Sequence, residues 1–214
     1  MRRAQAREAN RRALLDAASA LVGRDGAAAK LEAIADAAGL TTGAIYSIFG
    51  SKSDLMVAVV ADQISRVDLA IHPGCDPALP LDAVTDRYVQ TWIATYSGYS
   101  KVQTAFELHL LLSSLENGEL RRKLAEMLDA EIGQLARLLE NRVIDPARPS
   151  DRTTPQQAMT IAKAMKAILT GFGLRGPFMA DISGLARQSC LALTALARTP
   201  PDAPPGAPAG VSPG

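Results

Sequence analysis

From Leu14 to Leu196 apolar residues return every three or four positions, and nowhere do apolar and polar residues alternate in a run closed by turn residues. The first spacing keeps one face of an α-helix apolar, whereas alternation would do so for a strand. The chain is therefore expected to be all-α. Leu14, Ala17, Ala18, Leu21 and Val22 stripe a first helix that stops near Gly23 and Gly26, and Leu31, Ile34, Ala35 and Ala38 stripe a second that ends at Gly39. A short third helix holds Ile45, Ile48 and Phe49. A fourth runs from Ser51 to Ile71, and the three prolines and one glycine of residues 72–80 break it.

The second half reads as longer helices. Leu81, Val84, Tyr88, Trp92 and Tyr96 share one stripe, and residues 102–115 are apolar on nearly every face, as expected of a helix buried in a bundle. A long amphipathic helix carries Leu120, Leu124, Leu128, Ile132, Leu135 and Leu139 after an Asn117-Gly118 turn. Residues 146–155 read as a linker, and two helices follow it. The last sixteen positions, 199–214, hold six prolines, three glycines and one charge, too little apolar surface to offset the entropy of ordering, so a disordered tail is expected.

Composition narrows the function. Of 214 residues 48% are hydrophobic, ample for a core, and Cys75 and Cys190 lack metal-ligand spacing, which fits a reducing compartment. No run approaches the ~18 apolar residues of a membrane span, so a cytoplasmic protein without a membrane partner is expected. A net charge of +1 excludes coating a polyanion through bulk charge. A local basic patch remains, because residues 1–12 hold five arginines (Arg2, Arg3, Arg7, Arg11 and Arg12) against Glu8, and no carboxylate occurs from Ala37 to Ser53.

Between the second and third helices stands AGLTT. Gly39 can adopt the left-handed conformation that ends a helix, Leu40 can turn inward, and Thr41 can cap the next helix by accepting from a free backbone N–H. This is a tight helix-turn-helix over about residues 31–50. At 100° per residue Ile45, Ile48 and Phe49 cluster on one side of the third helix, leaving Gly43, Tyr46 and Ser47 outside, flanked by Thr42 and Ala44. Small and hydroxyl-bearing residues let a helix sink into a DNA major groove, where a carboxylate would be repelled. Lys52 stands in SKSD, a capping-box pattern that also offers backbone N–H groups to an anion.

The stretch LLDAASALVGRDGAAAKLEAIADAAGLTTGAIYSIFGSKSDL, residues 14–55, resembles the DNA-binding domain of the TetR family of bacterial transcriptional regulators. The resemblance rests on LLDAA, IA..AGLTTGAIY and F..K..L in that order. It implies an N-terminal three-helix helix-turn-helix DNA-binding domain over residues 8–68, then a C-terminal helical ligand-binding and dimerisation bundle over residues 69–198. It also implies that Thr41 caps the recognition helix, that Thr42, Gly43, Ala44, Tyr46 and Ser47 face operator DNA, and that Tyr46 and Lys52 hold phosphates. Two positions depart from the family pattern. Lys30 stands where a threonine commonly opens the second helix and offers a point charge to a phosphate; Ile48 stands where a histidine usually precedes the phenylalanine and adds to the small core. Arg2 and Arg3 complete the expected DNA contacts.

One small module makes few phosphate contacts, whereas a twofold dimer presents two recognition helices roughly 34–36 Å apart. A homodimer is therefore expected, and the resemblance places its interface on the last two helices, at Ala158, Ala162, Met165, Leu169, Ala186, Ser189 and Leu193. It also implies an unknown small-molecule effector in the second half, for which Tyr88, Trp92, Tyr96, Phe106, His109 and Phe172 are the candidate ligand-binding residues. Glu107 and His109 lie on different faces and cannot chelate, so no metal or cofactor is expected. Effector binding is expected to shift the fourth helix and release a palindromic operator, most simply as a repressor. An enzyme is disfavoured by two histidines and the absence of any nucleophile or metalloprotease motif. A helical interaction module without DNA binding is the alternative, and it leaves the recognition face and the arginine cluster unexplained.

Overall fold

The computed structural model describes residues 2–71, 76–96, 101–176 and 181–198. Its helices are α1 (Arg2–Asp25), α2 (Leu31–Ala37), α3 (Thr42–Phe49), α4 (Lys52–Ile71), α5 (Leu81–Tyr96), α6 (Lys101–Glu116), α7 (Gly118–Leu139), α8 (Pro155–Arg175) and α9 (Ile182–Leu193). A 3₁₀ turn, Gly26–Ala28, follows α1. Cys75, the tail 199–214 and the side chains of Arg2 and Tyr96 lie outside the described residues.

The expected linker instead holds a small antiparallel hairpin of β1 (Val143–Asp145) and β2 (Arg148–Arg152), pairing Val143 with Arg152 and Asp145 with Arg148. Strands of three and five residues, bearing charges and Pro149, are too short for a period of two to show in sequence. Side-chain bonds hold the hairpin to the end of α7. The Thr153 hydroxyl donates to the Leu139 carbonyl at 2.6 Å, and the buried Arg142 guanidinium donates to the carbonyls of Leu138 and Asp76. A capping box at Thr154 and Gln157, with Pro155 in the first turn, then starts α8.

Among the described residues the buried apolar side chains gather into two cores. The first joins Leu14, Ile34, Ile45 and Leu55 to Phe106, Leu110, Leu120 and Leu124, so α6 and the start of α7 pack with the N-terminal helices. The second gathers Val84, Tyr88, Trp92, Leu135, Leu139, Ile161, Met165 and Leu169 from α5, α7 and α8, with Ala186 and Cys190 of α9. Burial pushes the Cys190 thiol up to about 11, leaving it protonated and unreactive.

The expectation that α6 is buried all round is corrected. Phe106 and Leu110 are buried, but Leu108, Leu111, Leu112 and Leu115, spaced i, i+3, i+4, i+7, form an exposed leucine stripe on the opposite face. An all-apolar helix identifies its buried side only once its neighbours are known, because periodicity is then silent.

Candidate functional site

The recognition helix α3 has only eight residues, fewer than an isolated helix needs to persist in water, so packing holds it. Ile45 is fully buried, with Ile48 and Phe49 packed on the first core, each side chain contributing up to about 2 kcal/mol of apolar burial. The turn before α3 has the expected geometry. Gly39 has φ +67°, and the Gly39 and Leu40 N–H groups donate to the carbonyls of Asp36 and Ala35, the paired bonds that close α2. Thr41 takes the extended N-cap conformation, but its hydroxyl makes no cap hydrogen bond; its carbonyl accepts from Ala44 N–H at 2.9 Å. The expected side-chain cap is thereby corrected, and the Thr41 hydroxyl, on an exposed residue, is left to outside partners.

The outward face carries Gly43, Ser47 and Tyr46, all exposed, with Tyr46 at 54% of its full accessibility. Thr42 and Ala44 are half-buried at its edges. An exposed tyrosine with no acidic neighbour on its helix offers a phenolic hydroxyl to a phosphate at little desolvation cost. Lys30 is exposed at the N-cap of α2. Lys52 already has a protein partner, since its ammonium donates to the Ala29 carbonyl at 2.7 Å and ties the start of α4 to the loop before α2. The cluster of arginines divides. Arg3 and Arg7 are exposed along α1; Arg11 lies 5.7 Å over the Phe49 ring at the end of α3; Arg12 makes ion pairs with Asp16 and Asp62. Side-chain hydrogen bonding to Asp16 is the main cause that raises the Arg12 guanidinium further above its ordinary value.

At the start of α4 the Ser51 hydroxyl accepts from Asp54 N–H at 3.0 Å and donates to the Asp54 carboxylate at 2.6 Å. The reciprocal box expected of SKSD is therefore replaced by a hydroxyl-to-carboxylate bond. The other Asp54 oxygen accepts from Lys123 of α7 at 2.6 Å, and Lys123 also pairs with Glu119. The bond from Lys123, then that from Ser51, holds the Asp54 carboxyl below the usual carboxylate range, and Asp54, then Glu119, raises the Lys123 ammonium.

A cavity of about 330 Å³ opens between α4, α5, α6, α7 and α8. Its walls are apolar, with Val60, Leu110, Leu124, Met127 and Leu169 among them, and Leu111 and Leu128 are exposed lining residues. Of the six candidate ligand-binding residues the structure brings Trp92 to this wall. Tyr88 stands behind it, its hydroxyl accepting from Lys166 at 3.0 Å. Phe106 is sealed in the first core, and Phe172 packs on the second. His109 faces the 3₁₀ turn, where a methyl on Gly26 would meet its ring at 2.7 Å. Sequence reasoning missed the charged lining, Glu107, Arg121, Glu131 and Lys166. Glu131 carried a readable signal, a carboxylate between Leu124 and Leu138 on the buried stripe of α7, where it bonds Lys166.

The expected dimer residues are corrected by burial. Ala158, Ala162, Met165, Leu169 and Ala186 are at most 1% exposed within one chain, so no partner can touch their side chains. Their small size serves close packing inside the monomer. Ser189 and Leu193 are half-buried. The outward faces of α8 and α9 instead expose Met159, Ala167, Leu185 and Ala192, with Leu196 just beyond α9.

Residues 14–59 match the bacterial regulatory proteins of the tetR family. Comparison with curated proteins gives no match. Solved structures with the same fold include a TetR-family member from Streptomyces coelicolor A3, 25% identical, with a TM-score of 0.59 over 86% of this chain and 97% of that one. The regulator FadR from Bacillus subtilis, in complex with stearoyl-CoA, is 17% identical with a TM-score of 0.64 over 85% and 96%. The multidrug binding protein EbrR, complexed with ethidium, is 21% identical with a TM-score of 0.60 over 86% and 98%. Residues 14–59 thus carry the match to the tetR-family regulatory proteins, and the chain has the fold of solved TetR-family regulators.

Proposed function

We propose that the chain is a ligand-responsive transcriptional repressor that binds a palindromic operator as a homodimer and leaves it when a small molecule fills the cavity. The observation that carries this reading is the exposed, carboxylate-free face of Gly43, Tyr46 and Ser47 on a helix held rigidly by its opposite side. Thr41, Thr42 and Ala44 border the groove contact, Tyr46 bonds a phosphate, and Lys30, Arg3 and Arg7 add charge along the duplex. Lys52, with one N–H committed to Ala29, keeps two for a phosphate and positions the helix as well. The dimer forms through Met159, Ala167, Leu185, Ala192 and Leu196, an apolar surface of small and aliphatic residues suited to a symmetric four-helix contact.

The cavity and the recognition helix share α7. Leu124, Met127 and Glu131 line the cavity, and Lys123 beside them holds Asp54, four residues beyond the end of α3 at Gly50. A ligand that displaces α7 loosens that hold and moves the start of α4, which changes the separation of the two recognition helices. The proteins of this fold complexed with ethidium and stearoyl-CoA support a small-molecule effector. Fluorescence anisotropy with DNA flanking the chain's own gene tests the reading. Sequence-selective binding that weakens steeply with salt is expected, and salt-independent or undetectable binding overturns it.

A further inference from the structure

Within the cavity the acidic and basic groups are not equivalent. Glu131 is 9% exposed, and its hydrogen-bond and ion-pair partner among the described residues is Lys166. Lys166 has more, since it donates to the Tyr88 hydroxyl at 3.0 Å and its ammonium lies 5.6 Å over the Tyr88 ring. A ligand anion that captured Lys166 would strand a buried carboxylate, the costly way to break such a pair. A ligand cation that captured Glu131 would leave Lys166 on the tyrosine. Glu107 adds a second, half-buried carboxylate to the lining, whereas the other basic group there, Arg121, is exposed. Trp92 gives a cation an aromatic wall, and leucines and methionine give its body an apolar one.

We infer that the cavity selects a hydrophobic organic cation, whose charged nitrogen displaces Lys166 from Glu131 and whose apolar body lies between Trp92 and the leucines of α6 and α7. The inference rests on the reading of this cavity as the effector site, and its volume falls near the lower end of ~300–1,000 Å³ typical of small-molecule sites. It also assigns separate roles: Glu131 binds, Lys166 competes, and Tyr88 receives the displaced ammonium. Because the internal cation must be pushed aside, removing it should tighten binding of an external one.

Trp92 is the single tryptophan of the chain, so its fluorescence reports on the cavity in the full-length protein without DNA. Three probes of one shape separate the charges: 4-phenylbutylammonium, 4-phenylbutanol and 4-phenylbutyrate. The ammonium is expected to bind at least about tenfold tighter than the alcohol, and the carboxylate weakest. At pH 8, Lys166→Met should raise the ammonium affinity, and the Glu131→Gln/Lys166→Met pair, which leaves no buried charge stranded, should erase the preference. Equal affinities, no binding by any probe, a preference for 4-phenylbutyrate, or loss of ammonium binding in Lys166→Met overturns the inference. If the ammonium binds as expected yet leaves operator DNA bound, the effector reading fails and the charge preference stands. If operator is released only by an anionic or neutral compound, the charge preference alone fails.

Discussion

At Gly26 the turn after α1 lies against His109 of α6, and a single methyl there has a cost that can be worked out. Its φ of +62° puts an alanine in the left-handed region, costing roughly 1–2 kcal/mol. The new Cβ would also lie 2.7 Å from Nδ1 and Cε1 of His109 and 3.1 Å from its Cγ. With the near end of the ring involved, rotation alone gives little relief and α6 must shift, an overpacking cost of about 1–3 kcal/mol. Gly26→Ala is therefore expected to destabilise by about 2–5 kcal/mol. In a His109→Ala background the clash is gone and the backbone strain remains, so the same methyl should cost only about 1–2 kcal/mol. Urea unfolding of the four chains at one fixed protomer concentration measures both steps. If Gly26→Ala costs the same in the two backgrounds within about 0.5 kcal/mol, His109 does not bear on the turn and the contact carries no coupling.

Tyr46→Phe should weaken operator binding roughly evenly across sequence variants, because a phosphate bond is lost and no base contact changes; a sharpened base preference in a competition assay would contradict this. Leu185→Glu should leave the melting profile of the single chain intact, as Leu185 is 42% exposed, but convert a dimer to monomer by sedimentation; an unchanged mass removes α9 from the interface. Lys123→Met should keep cavity binding, followed by Trp92 fluorescence, while operator release by the same ligand becomes weaker; full release would place the coupling elsewhere. Because the folded Asp54 carboxyl titrates below its unfolded value, its tie to Lys123 stabilises at neutral pH and is lost as the pH falls through the carboxylate range into acid. The melting-temperature gap between wild type and Asp54→Asn should hold from about pH 5 upward and shrink below about pH 4, and a constant gap would remove the ion pair as its cause.

Much of the fold was legible because its signals are local. The Gly39 φ, the Ile45 stripe and the outward set Gly43, Tyr46 and Ser47 follow from residues within one or two turns of each other. The cavity was less legible. An aromatic residue announces apolar bulk without saying which apolar space it fills, so Phe106 went to the first core, Phe172 to the second, and Trp92 to the lining. The small residues of α8 and α9 misled for a related reason, since close helix packing needs them equally inside a chain and between chains. A carboxylate on a buried stripe is the more specific signal. Glu131 must find a partner, and that partner, Lys166, sits beside Met165 on the buried side of α8.

The placement of Lys123 and Glu131 on one helix bears on how two distant sites can share energy. Eight helical steps separate them, about 12 Å, and a continuous helix of 22 residues carries a displacement at one end of that interval to the other. At the far end the displacement meets Asp54, which also holds the Ser51 hydroxyl next to Gly50, where α3 ends. Among the described residues α4 meets the cavity through Val60, packed on the first core, and meets α7 through the bond between Asp54 and Lys123. Coupling along α7 must also run backwards. Operator DNA that fixes α3 and the start of α4 fixes the Ser51, Asp54 and Lys123 chain, makes α7 harder to displace, and so weakens the cavity's ligand by the factor by which ligand weakens DNA.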